Sequence, residues 1–98
     1  MLDENAASIV LGNIQTINKC KLDKKSAIER LNDPKLDYNE RREYNNDIIY
    51  DNRNIDISTR SISSIFESCT PDELVTLISD IYNLNRDNFN QKTIEKNR

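Results

Sequence analysis

Four carboxylates, Glu40, Glu43, Asp47 and Asp51, recur at intervals of three and four residues. On a helix that spacing puts them on one face. A row of carboxylates can bind cations, steer a basic partner, or work as acid and base where burial pushes two pKa values apart. The last option needs a cleft, and no pattern in the chain points to one. There is no histidine, which removes histidine bases, histidine metal ligands and the usual serine or cysteine triads together. The only thiols, Cys20 and Cys69, lie far apart and form no CxxC. They read as reduced, partly buried side chains rather than as metal ligands or a disulfide.

Other chemistry falls away on the same grounds. Residues 51–56 have the acidic density of a calcium loop, but Arg53 and Ile55 stand at ligand positions and the turn glycine is missing. There is no phosphate loop or dinucleotide fingerprint. The expectation is a protein that is not an enzyme, carries no cofactor or metal, and works by binding another macromolecule.

The elements that must present these residues are helical. One glycine in 98 residues leaves little freedom for tight hairpins, whereas helix start signals are frequent. The clearest is Thr70-Pro71-Asp72-Glu73, with a capping hydroxyl, a proline at the first helical position and an acid three residues on. The pattern predicts an all-α chain, a compact bundle of four or five short helices. A first helix covers about residues 3 to 20 on the stripe Ala7, Val10, Ile14 and Ile17, with Ala6 and Leu11 broadening it. A short second helix follows the lysines at 19–25, capped by Asp23 or Ser26, and buries Ile28 and Leu31.

Asn32-Asp33-Pro34 breaks the chain, and a third helix starts at Asp37 and runs to about Arg53. It carries the carboxylate row, buries Tyr44 and Ile48, and leaves Tyr38 and Tyr50 open. Asn52-Arg53-Asn54 is expected to end it, since asparagine tolerates left-handed backbone. A fourth helix is expected from Ser58 to near Cys69, and a fifth from 71 to about 84 on Leu74, Leu77, Ile78, Ile81 and Leu84. Residues 1–89 read as a single helical domain and 90–98 as a frayed polar tail.

Composition sets the context. Net charge is −3 and 32% of residues are charged, yet the apolar residues cluster periodically enough for one core. The longest aliphatic run, Ile9-Val10-Leu11, is too short for a signal-peptide core or a membrane span, so a cytoplasmic protein is expected. Thirteen isoleucines against two valines, with fourteen asparagines, suggest an AT-rich genome such as that of a phage or mobile element.

Two resemblances bear on function. Residues 55–66 resemble the turn and recognition helix of a helix-turn-helix protein: Ile55 and Ile57 anchor the turn, Ser58 caps, and Ile62 and Ile65 pack inward. That likeness implies a DNA-binding regulator, with Thr59, Arg60, Ser61, Ser63 and Ser64 facing the bases. Asp56 stands where a turn glycine is usual, and residues 47–66 carry one excess negative charge, which opposes phosphate contact. In size and acidity the whole chain is similar to small helical immunity proteins, secretion chaperones and phage-encoded inhibitors. That second likeness is one of class only and supplies no residues; the acid-lined third helix itself points to docking on a partner protein with a basic surface, through Glu40, Glu43, Asp47, Tyr50 and Asp51. Protein docking is the first expectation and DNA reading the alternative. Homodimerisation through the first or fifth helix stays open, with Ala7, Val10, Ile14 and Ile17 as one seam.

Overall fold

The computed structural model describes residues 3–96, with side chains through Asp87. Among the described residues there are three helices and no strand: α1 (Ala6–Leu31), α2 (Tyr38–Glu67) and α3 (Pro71–Lys96). The all-α expectation holds, but the count of four or five short helices does not. The first and second expected helices are one, α1, and the third and fourth are one, α2.

The reason lies in what a break would cost. Lys21, Leu22, Lys24 and Lys25 are good helix formers, and the stretch holds no glycine or proline, so nothing stops α1 at Cys20. At Asn52-Arg53-Asn54 a turn without glycine would need left-handed backbone, at roughly 1–2 kcal/mol for a residue with a Cβ. No described residue has positive φ, and α2 continues through all three positions. Asp23, Ser26 and Ser58 are therefore helix-interior residues, not caps.

The real ends carry the caps that the sequence announces. Asp37 Oδ1 accepts from the Glu40 amide at 2.8 Å and starts α2. Thr70 and Glu73 form a reciprocal capping box: the Glu73 amide donates to Thr70 Oγ1 at 3.2 Å, and the Thr70 amide to Glu73 Oε1 at 3.0 Å. Between α1 and α2, the Arg41 guanidinium donates to the carbonyls of Leu31 at 3.2 Å and Asp33 at 3.0 Å. This satisfies two acceptors at the α1 C-terminus.

The chain packs as two compact units. The first comprises residues 1–12 and 61–98. Its core gathers Ala6, Ala7 and Leu77, with Ile65, Cys69, Ile81 and Leu84 packed against them. Val10 and Leu77 are fully buried. Because Ala7 and Val10 are used inside the chain, they cannot form the subunit seam considered from sequence.

The second unit, residues 13–60, is an antiparallel hairpin of α1 and α2. Its seam has the alternating three and four spacing of a coiled coil. From α1 come Asn13, Ile17, Cys20, Lys24, Ala27 and Leu31; from α2 come Arg41, Tyr44, Ile48, Asp51, Ile55 and Ser58, all buried or half-buried. Five of these twelve positions, Asn13, Lys24, Arg41, Asp51 and Ser58, are polar or charged. The last helix, expected to end near residue 84 with a frayed tail at 90–98, runs on as α3 to Lys96; residues 97–98 and the side chains from residue 88 on lie outside the described residues.

Candidate functional site

The hairpin sorts its charges onto two flanks of the seam. Helical periodicity puts Lys21, Lys25 and Ile28 on one side of the α1 seam positions and Thr16, Lys19 and Asp23 on the other. On the first side, Lys21, Lys24 and Lys25 line a cavity of about 520 Å³ floored by Ile28 and Ile55. On the other, Asp23 of α1 faces Asp47 and Asp51 of α2 across a cavity of about 770 Å³ that also includes Cys20, Leu22 and Tyr50.

The expected carboxylate row divides within this arrangement. Glu40, Glu43 and Asp47 are exposed, as is Tyr50, at 63%. Asp51 is not on the open face: it is 4% exposed and sits in the seam, three residues after Ile48 and seven after Tyr44. The sequence expectation of four carboxylates on one face is corrected in this respect: three are exposed and Asp51 is buried. A helix face is about 100° wide, and Asp51 falls where the acidic row meets the seam.

Asp51 has an unusual environment. Its Oδ2 is buried with no hydrogen-bond partner. Removal from water, then a hydrogen bond with Asp23 and the negative charges of Asp23 and Asp47, push its carboxyl up to about 6. A hydrogen bond from the Cys20 thiol acts the other way by favouring the ionised form. Cys20 is itself buried, and desolvation followed by the Asp51 charge raises its thiol pKa. It is consequently a poor nucleophile, and it forms no disulfide; nor does Cys69.

Nearby, Arg30 donates from Nη1 to the Tyr44 hydroxyl at 3.3 Å and lies 5.8 Å from the ring centroid. That contact fixes the half-buried Tyr44 at the loop end of the hairpin. Asp23 and Asp47 also line a smaller cavity of about 220 Å³ beside this pair.

The residues assigned to base reading lie within α2. Ile55 to Ser58 are helical, so the turn on which the helix-turn-helix likeness rested is absent. Ser58 is buried at 5% exposure. Thr59 bonds back to its own helix, donating to the Ile55 carbonyl at 2.7 Å, and Arg60 pairs with Asp56 at 3.1 Å. Ser61 is half-buried, while Ser63 and Ser64 are exposed.

Sequence reasoning placed Cys20 as a partly buried thiol but missed its contact with Asp51 and the burial of Asp51. The signal was available in the unbroken three and four spacing from Asn13 to Leu31 and from Arg41 to Ser58, which a search for purely apolar stripes passes over. Comparison with protein families, with curated proteins and with solved structures finds no match to this chain. Among the described residues, no helix is long and apolar enough to cross a membrane.

Proposed function

We propose that the chain is a protein-binding module that docks the acidic flank of its α1–α2 hairpin on a partner with a basic surface. It would act as an inhibitor, immunity-like protein, chaperone or regulatory adaptor. The observation that carries this reading is the grouping on one flank of exposed acids from two helices around a cavity. Asp23 comes from α1 and Asp47 from α2, and Glu40 and Glu43 continue the row toward the loop.

Apolar contact is available on the same flank. Leu22, 70% exposed, and Tyr50 line the cavity, so a partner can combine charge attraction with burial of a large side chain. Acidic rims of this kind accelerate encounter and select against acidic competitors. The test is charge reversal. Glu43→Lys with Asp47→Lys should weaken capture of a basic partner about tenfold or more at low salt and flatten its salt dependence. Unchanged affinity and salt slope would remove the reading.

A further inference from the structure

Asp51 presents a problem that the hairpin does not solve internally. Its buried Oδ2 lacks any partner, and the titratable groups that act on its carboxyl are Cys20 and Asp23 of α1 and Asp47 of α2. Two of these three are acids and the third is a thiol that stays protonated. Lys19 of α1 lines the same cavity but makes no ion pair with Asp51 among the described residues. An ionised carboxylate held this way is unfavourable unless a cation meets it.

The cation could be a metal or an organic group, and the geometry decides between them. No group of three or more Cys, Asp or Glu among the described residues is placed to hold a metal ion. The cavity is larger than an ion needs, at about 770 Å³, and it is walled by the exposed Leu22 and Tyr50. Carboxylates beside an aliphatic side chain and an aromatic ring suit a cation carried on an apolar stem.

We infer that the cavity between Cys20 and Asp51 receives one cationic side chain of the partner, a lysine or arginine, whose charged head meets Asp51 and Asp23 while its stem lies against Leu22 and Tyr50. This rests on the reading of the acidic flank as the docking surface and specifies its central contact. Binding then exchanges a proton for a cation. The Asp51 carboxyl releases its proton to bulk water, and the resulting carboxylate pairs with the ammonium or guanidinium. Uptake is therefore favoured as pH rises through the Asp51 titration.

The test uses the intact chain and two probes followed by NMR. With n-butylguanidinium, an arginine side-chain analogue, wild-type affinity should rise about tenfold between about pH 5 and pH 7.5, since Asp51 passes from mostly protonated to mostly ionised about a midpoint near 6. Asp51→Asn, nearly isosteric, should bind it weakly and without that pH dependence. Equal affinity at both pH values, or equal affinity in Asp51→Asn, overturns the inference. Acetyl-tetralysine amide separates the two claims. If Glu43→Lys weakens its binding while Asp51→Asn does not, the acidic flank stands and the anchor falls; if Glu43→Lys has no effect, the flank reading falls and the butylguanidinium result alone judges the cavity.

Discussion

The two compact units use the same helical spacing for opposite purposes. In residues 1–12 and 61–98, the buried positions are Ala6, Ala7, Val10, Leu11 and Leu77, and no buried polar residue occurs among the described ones. In residues 13–60, the seam admits Cys20, Lys24, Asp51 and Ser58, and a charged group is buried without a full set of partners. The first arrangement gains free energy by excluding water from apolar surface; the second gives up stability at the position where its acids converge. A site that costs stability and sits on a charged flank is a candidate for function, whereas a seam of alanine, valine and leucine is explained by packing alone.

Perturbing each unit at its centre separates the two. The largest effect belongs to Leu77, which is fully buried. Leu77→Ala should lower stability by about 3 kcal/mol, measured by chemical denaturation, because it removes transfer energy and leaves a cavity. A loss below about 1 kcal/mol would show that the unit packs more loosely than its burial implies.

In the hairpin the corresponding change has the opposite sign. Burial among acids raises the Asp51 carboxyl from the ordinary aspartate value of about 4 to about 6 in the folded chain, so its contribution to stability is fully present below about pH 4 and is lost as pH rises through about 6. Asp51→Asn should therefore stabilise the chain at pH 7.5 by on the order of 2 kcal/mol, and the gain should shrink toward pH 4. Destabilisation at pH 7.5 would mean that the ionised group finds a partner in the folded chain.

Smaller effects refine the contrast. Thr70→Ala should cost about 1 kcal/mol through loss of the α3 capping box, seen as a lower denaturation midpoint. Arg60→Ala should change stability by less than about 0.5 kcal/mol, because its pair with Asp56 is solvent-exposed. The thiols offer a kinetic comparison. Cys69, half-buried with Sγ donating to the Ile65 carbonyl at 3.2 Å, should alkylate faster at neutral pH than Cys20, which is buried and held in its protonated form.

How much of this was legible in the sequence depends on the kind of signal. Caps at Asp37 and Thr70 were readable because they depend on residues within one turn of each other. The stripe of α3 was readable at Leu77, Ile81 and Leu84, although Ile78 is 55% exposed. The junctions at Cys20–Lys25 and Asn52–Ile57 were not, because weak turn residues were weighed as breakers where helix continuation satisfies more backbone groups. The acidic row was legible as a row. That its last member turns inward was hidden by chemistry: an aspartate in a seam is uncommon enough that its type outweighed its spacing.

The most direct test is a ¹³C NMR titration of the Asp51 side-chain carboxyl in the intact chain. A buried, uncompensated carboxyl among other acids should titrate with a midpoint near 6, and Cys20→Ser should alter that midpoint because the thiol bonds to the same group. A midpoint near 4, the ordinary aspartate value, with no response to Cys20→Ser, would contradict the account of this cavity.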